Sequence, residues 1–406
     1  MKKLMFILVF GAVILAGCGS TNSEEVDKLV VWAMGDEGNH LSELTDKYQE
    51  ETGIEVEVVA IPWDQAHDKL STAVASKSGP DVIQLGTSWI TEYAESGALA
   101  DLSEFSEDQF DSSLYFEGAA DTMAVDGTTY SIPWYVDARA LYYRTDIIKE
   151  TCGLDAAPTT WDEMFECSNK LADRGDDQYG VAFDISDQFF FVQYAWQNGW
   201  DVLDENGKIN VQDEKFIEAM EYTQSFIKSG ATTLDMADID ITQTFSDGRF
   251  PFFFSGPWSV NVLLEANPEL EDKFSIAPVP AGDAGSVAYM GGSNLAIFEY
   301  SENKEAAADL INWMVTPKQQ TDWYDIAKSL PAQKSVWEDQ EFLDSGFEMD
   351  VWNEILKNAK PVPMLSNWEE VAQKIVDAQE NVIAVEEDPA EVAEELQGEI
   401  DELMDK

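Results

Sequence analysis

Between Lys28 and Glu95 the chain alternates strand and helix with so little slack that few folds accept it. "KLVVWAM" reads as a strand, "LSELTDKYQEE" sets Leu41, Leu44 and Tyr48 on one helical face, and Gly53 stops that helix. "IEVEVVAI" alternates as a second strand, a helix is expected over 63–77, "GP" breaks it, "DVIQL" is a short buried strand and "SWITEYAESG" is helical again. This β-α-β-α-β order predicts a parallel sheet covered by helices. Ligands of such sheets sit beyond the carboxyl ends of the strands. Those ends carry Gly35, Asp36 and Glu37, then Trp63 and Asp64, then Gly86, Thr87, Ser88 and Trp89.

A second block starts past residue 145, and 406 residues suffice for two domains with separate cores. "TTWDEMFECSNKLADRG" is a capped helix, "YGVAF" a strand and "QFFFVQYAWQNGW" an aromatic helix running into a glycine turn. "DENGKI" carries an Asn-Gly hairpin signal, and "DEKFIEAMEYTQSFIKSG" is an amphipathic helix. "FPFFFSGPWSVNVLLEA" reads as strand, tight turn and helix, and the acidic C-terminal "EVAEELQGEIDELMDK" as a packed or solvated amphipathic helix.

Between the blocks, "IPWYVDARALYYR" is extended after Pro133, so Tyr135, Asp137 and Arg139 project from one side. An aromatic plate, a carboxylate and a guanidinium together suit a polar, hydroxyl-bearing ligand. They equally suit an aromatic core edge beside a surface ion pair, and Trp134 divides the same way between core and cleft.

The start "MKKLMFILVFGAVILAGC" has the layout of an export signal, with an apolar run short for a membrane span. Its "LAGC" resembles a bacterial lipobox, so cleavage is expected before Cys18, which takes the lipid, and "GSTNSEEVDK" becomes a polar tether. A formal charge of −55 argues against nucleic acid, whose phosphates are bound through Lys and Arg. A solvated acidic surface that keeps the protein dispersed explains the excess and fits saline surroundings. Cys152 and Cys167 are free to form a disulfide outside the cytoplasm, or Cys167 serves as a small buried residue in its helix.

The sequence lacks a phosphate-cradling Gly-rich loop, a dinucleotide-binding glycine fingerprint, a nucleophile elbow and a His-Glu-x-x-His pair. Its two histidines, His40 and His67, do not suit a triad or a metal centre, and His67 shares a helical face with Leu70 and Val74 as a packed residue. Among 79 carboxylates a glycosidase pair could always be nominated, so abundance makes that signal empty.

In order, the lipobox, "WAMGDEG", "SGPDVIQLGTSWITEYAESGALADLSEF", "IPWYVDARALYYRTDII", "PTTWDEM", "SGPWSV", "GGSNLAIF", "KSLPA" and "PVPMLSNWEEV" resemble extracellular solute-binding proteins of family 1. These are sugar-binding lipoproteins of bacterial ABC importers, the maltodextrin- and oligosaccharide-binding proteins among them. The resemblance implies an α/β periplasmic-binding-protein-like fold, with two α/β lobes joined by crossing hinge strands and ligand in the interlobe cleft. It divides the chain into a signal over 1–17, a tether over 18–27, lobe 1 over 28–137 plus 288–327, and lobe 2 over 138–287 plus 328–406. By motif, Asp36 and Glu37 match the polar pair after the first strand, and Ser88 and Trp89 match cleft positions after the third. Asp137 matches the acidic residue of the first crossing strand, and Trp258 and Trp368 match aromatic plates of the far lobe.

The ligand set expected on this resemblance adds Trp63, Asp64, Tyr135, Arg139, Phe190, Trp196, Asn198, Gly291, Gly292 and Ser293. Asp137, Arg139 and Asn198 would take sugar hydroxyls, the aromatics would stack on C–H faces, and the glycines either make a turn or let backbone approach the ligand. "DQFFFVQYAWQNGW" stands where maltodextrin binders place an acidic and aromatic cluster. A neutral β-linked gluco-, xylo- or manno-oligosaccharide is therefore expected ahead of maltodextrin, trehalose or another small sugar. No catalysis, cofactor or metal is expected. The partners implied are the oligosaccharide and the transmembrane subunits of an ABC permease, with a monomer held to the outer face of the cytoplasmic membrane only by its lipid, or in the periplasm or outer membrane of a two-membrane cell. A secreted glycoside hydrolase and a surface adhesin are the readings from other classes.

Overall fold

The structure is a computed structural model and describes residues 26–105, 107–233 and 240–404. The signal over 1–17, Cys18 and the tether up to residue 25 lie outside the described residues.

β1 (Lys28–Met34) pairs in parallel with β2 (Glu55–Ile61) and with β3 (Val82–Gly86). The helix Gly35–Thr52 buries Leu41, Leu44 and Tyr48 and ends at Gly53, and the helix Trp63–Ser76 buries Ala66, Leu70 and Ala73. Because the first helix follows β1 directly, Asp36 and Glu37 occupy its first turn, where free N–H groups favour carboxylates.

A hairpin of β4 (Ala124–Val125) and β5 (Thr128–Thr129) comes next, followed by β6 (Ser131–Ala138) and β7 (Ala140–Arg144). The remaining strands are β8 (Val181–Ala182), β9 (Phe252–Ser255), β10 (Phe274–Ala277), β11 (Met290–Ile297) and β12 (Leu330–Pro331). They build a six-stranded sheet, ordered β12-β6-β11-β3-β1-β2, and a four-stranded sheet, ordered β10-β7-β9-β8.

The expected parallel sheet is corrected to a mixed one. β11 runs antiparallel to both β3 and β6, and β12 antiparallel to β6. Only local β-α-β crossovers force parallel pairing: β11 returns from the other lobe, and β12 follows it through the helices Lys304–Met314 and Pro317–Ala327. The chain leaves the first sheet between β6 and β7, with Arg139 at the crossing, and re-enters it at β11. The expected lobe boundary after residue 327 would leave β12 in lobe 2, yet Leu330 and Pro331 pair with Val136 and Tyr135 of the first sheet.

In lobe 2 the helix Phe190–Asn198 is buried along its whole length. Cys152 and Cys167 form a disulfide, with Cα atoms 5.5 Å apart, between the end of the helix Thr145–Thr151 and the helix Trp161–Ala172. The Asn-Gly segment is a turn without flanking strands, in which the Asp204 carboxylate accepts from the backbone N–H of Asn206 (2.7 Å) and Lys208 (2.9 Å). The acidic C-terminal helix Pro389–Met404 is a packed one, burying Val392, Leu396 and Ile400. Among the described residues no helix is long and apolar enough to cross a membrane.

Candidate functional site

The crossing strands form the floor of the candidate site. Tyr135 and Asp137 stand on one side of β6, as the period of two requires. The Tyr135 hydroxyl accepts from Gln84 Nε2 (3.1 Å) and Ser293 Oγ (3.1 Å), and Gln84 Nε2 also donates to Ser293 Oγ (2.9 Å). Glu37 completes this cluster by accepting from the Tyr135 hydroxyl. Burial pushes the Glu37 carboxyl above its ordinary range; its own backbone N–H and Tyr135 pull the other way, and the charge of Asp137 adds to the rise.

Next to it, Arg139 Nη2 donates to Asp187 Oδ2 at 3.0 Å, while Arg139 Nη1 lies 3.6 Å from Asp137 Oδ1, beyond hydrogen-bond reach. Both of those last atoms are buried and have no hydrogen-bond partner among the described residues. Burial raises the Asp137 carboxyl, the Arg139 charge works against it, and Asp187 adds to the rise. For Arg139 burial works against the charged form, but Asp187 and Asp137 outweigh it and hold the guanidinium charged.

Aromatic faces surround this floor. Arg139 lies 5.1 Å from the Trp258 ring centre and 5.9 Å from that of Tyr289, and Phe189 stacks on Tyr289 with centroids 3.8 Å apart. Trp258 remains 44% exposed. On the lobe 1 side Trp63 meets Trp89 edge to face at 5.6 Å, and both Ser88 and Trp89 bond to Glu369 of lobe 2.

Of the residues expected from sequence, Glu37, Tyr135, Asp137, Arg139, Trp258, Gly291 and Ser293 come together here, with Trp63, Ser88 and Trp89 on the adjoining wall. A Cβ on Gly291 would sit 2.8 Å from both Asp137 Oδ1 and Tyr289. Gly292 plays a different part: its φ is +122° and a Cβ would lie 2.3 Å from the Tyr135 carbonyl oxygen, so it packs β11 onto β6. Asp36 points to solvent, 3.6 Å from His40, and Asp64 is exposed in the first turn of its helix.

The structure does not bring Phe190, Trp196, Asn198 and Trp368 to the floor group. Phe190 packs on Phe183 and Tyr194, Trp368 is fully buried in the lobe 2 core, and Trp196 is buried under Lys360, 4.7 Å from its ring centre. Asn198 donates to the Lys215 carbonyl (2.9 Å) and to Glu218 (2.8 Å), which fixes the helix end. His67 is corrected from a packed residue to a partly exposed one, 2.9 Å from Glu92 and edge-on to Trp89, because it faces the helix Ile90–Glu95. Trp134 is a core plate stacked on Trp323 at 4.7 Å.

Sequence reasoning missed Gln84, Asp187, Phe189, Tyr289 and Glu369. Tyr289 carried a usable signal, since it sits two residues before Gly291 at the strand period. Asp187 carried another, for its carboxylate accepts from the Phe189 N–H (2.8 Å) as the chain enters the aromatic helix. Among the described residues no group of three or more His, Cys, Asp and Glu is placed to hold a metal ion.

The profile of the family described as bacterial extracellular solute-binding protein matches residues 20–321. A galactooligosaccharide-binding protein of Bacillus subtilis (strain 168) is 24% identical over 416 residues, covering 97% of this chain and 95% of the relative. A maltooligosaccharide ABC transporter solute-binding lipoprotein of Streptococcus pneumoniae (strain ATCC BAA-255 / R6) is 24% identical over 400 residues, covering 91% and 90%. The solved structure of the sugar-binding protein MalE from the phytopathogen Xanthomonas citri superposes with a TM-score of 0.84 at 29% identity, covering 92% of this chain and 96% of that one. With two α/β lobes, crossing strands between them and a profile match over most of its length, the chain belongs to the bacterial extracellular solute-binding protein family.

Proposed function

We propose that this chain is a lipid-anchored receptor outside the cytoplasm that captures a neutral oligosaccharide between its lobes and delivers it, as a monomer, to the transmembrane subunits of an ABC permease. The observation that carries this reading is the buried pair on the floor, the acceptor Asp137 Oδ1 and the donor Arg139 Nη1, which face each other at 3.6 Å and make no hydrogen bond. A buried polar group left unsatisfied costs about 1–3 kcal/mol, so the floor favours a guest that serves both atoms. A sugar hydroxyl donates and accepts at once, and Trp258 offers its C–H face an apolar plate. An anionic guest would meet Glu37, Asp137 and Asp187, and the last two already offset the charge of Arg139.

The galacto- and maltooligosaccharide relatives support the oligosaccharide class. Of the run "DQFFFVQYAWQNGW", which stands where maltodextrin binders place an acidic and aromatic cluster, Asp187 and Phe189 reach the floor group, and we keep a β-linked gluco-, xylo- or manno-oligosaccharide as our first reading. Maltodextrin is the second, favoured by the maltooligosaccharide relative. As a carrier the chain performs no chemistry, and the lipobox cysteine, with the relative named a lipoprotein, supports anchoring through Cys18.

The test is a thermal-shift panel of mono- and oligosaccharides on the mature chain without Cys18. A ligand that binds only the folded state adds about 2.7 kcal/mol of stability at a hundredfold excess over its dissociation constant. A shift with one glycan series, lost in Asp137→Ala, supports the reading and names the series. Shifts with amines, peptides or phosphodiesters alone would replace the sugar by another solute.

A further inference from the structure

Glu369 is the first residue after Trp368 in the lobe 2 helix Trp368–Ala384, yet its carboxylate reaches lobe 1. Its Oε1 accepts from Ser88 Oγ at 2.8 Å and from Trp89 Nε1 at 3.1 Å. One oxygen thus takes both side-chain donors at the end of β3. An indole has a single N–H and a serine a single O–H, so neither keeps a hydrogen for a sugar hydroxyl while this contact stands. Hydrogen bonds to an ionised acceptor are the strong class, and these two connect segments 281 and 280 residues apart in sequence.

We propose that Glu369 is the latch that holds the two lobes together, and that Ser88 and Trp89 serve closure through it rather than reading sugar hydroxyls. The inference rests on the two-lobe receptor reading and deepens it. A bond made only when the lobes meet lowers the free energy of the closed arrangement alone. It therefore multiplies the affinity of every ligand that needs closure by one common factor. Asp137 and Arg139 act differently, because what they contribute depends on which hydroxyl the guest presents. Trp89 keeps its ring for Trp63 and His67, which meet it edge-on at 5.6 Å each.

The experiment measures lobe separation without any ligand. Fluorophores are placed on Glu50→Cys in lobe 1 and Glu221→Cys in lobe 2, both exposed, in the chain lacking Cys18 with its disulfide intact. In Glu369→Ala the population at the closed distance is expected to fall about tenfold, and in Ser88→Ala by about threefold, since one bond of the two is lost. Glu369→Gln, whose amide oxygen still accepts both bonds but without the charge, is expected to fall between the parent protein and the alanine variant. A Glu369→Ala distance distribution that coincides with the parent's overturns the latch, as does a Glu369→Gln variant that opens as far as the alanine. The readout needs no sugar. If the lobes open in Glu369→Ala while no sugar shifts the melting curve, the latch stands and the oligosaccharide reading falls; sugar binding with unmoved lobes gives the converse.

Discussion

Arg139 donates to Asp187 at 3.0 Å just where the chain leaves the first sheet for the second. Both side chains are mostly buried, at 15% and 23% exposure, and each is a close ionic partner of the other. Truncating one partner of such a pair costs through the charge left behind. Asp187→Ala is expected to lower stability by about 2 kcal/mol and ligand affinity at least about tenfold. Asp187→Asn keeps an acceptor and should lose less than half as much. Urea unfolding and calorimetric titration with a sugar that shifts the melting curve check both values.

The raised carboxyl of Glu37 gives a pH signature of definite sign. Its folded-state pKa lies above the unfolded value of about 4.5, so the folded protein holds the proton more tightly. Stability from this group is then fully present below the unfolded value and is lost as pH rises through the folded one. Glu37→Gln mimics the protonated form and still accepts from Tyr135. The variant's advantage over the parent should be absent below pH 4.5 and grow through the mildly acidic range. Chemical denaturation at a series of pH values reads this difference directly, and an advantage that shrank with rising pH would contradict it.

Two tryptophans expected to be alike should behave oppositely. Trp258 is 44% exposed beside Arg139, so Trp258→Ala should leave the melting temperature nearly unchanged and weaken sugar binding at least about tenfold. Trp368 is fully buried, and Trp368→Ala should cost about 3–5 kcal/mol of stability. Melting curves with and without sugar separate the two.

The adjacent glycines of β11 should separate likewise. Gly292→Ala places a Cβ 2.3 Å from the Tyr135 carbonyl oxygen at a positive φ, and should destabilise the fold by about 2–4 kcal/mol. Gly291→Ala presses on Asp137 and Tyr289 instead, and should weaken ligand binding more than it lowers stability. Paired denaturation and binding curves for the two variants give the comparison.

Reducing the Cys152–Cys167 disulfide reopens a loop with a sequence separation of 15. Closing such a loop is worth about 3 kcal/mol, so reducing agent, or the double serine variant, should lower the unfolding free energy by about that amount.

The first lobe was legible where local rules act. Gly53 ends a helix because a left-handed residue caps it, and Leu41, Leu44 and Tyr48 meet the core because they recur at the helical period. β11 was not legible as the antiparallel neighbour of β3, because nothing near either strand encodes a pairing across the other lobe. On β6 the strand period alone gathered Tyr135 and Asp137. In the aromatic helix the same kind of reasoning chose Phe190 over Phe189, since a helix buried all round offers no polar face by which to orient it. Glu369 is one acid among 79, and its two donors lie in another lobe; no spacing rule singles it out.

The return of β11 to the first sheet also sets an order of assembly. Gln84 of β3 and Ser293 of β11 are hydrogen-bonded though 209 positions apart. Until the later strand has been synthesised, β3 presents an open sheet edge, and the first lobe cannot close however readily its leading β-α-β units form. A chain built this way cannot complete its first sheet until nearly three-quarters of it exists, because β11 ends at Ile297 of 406 residues.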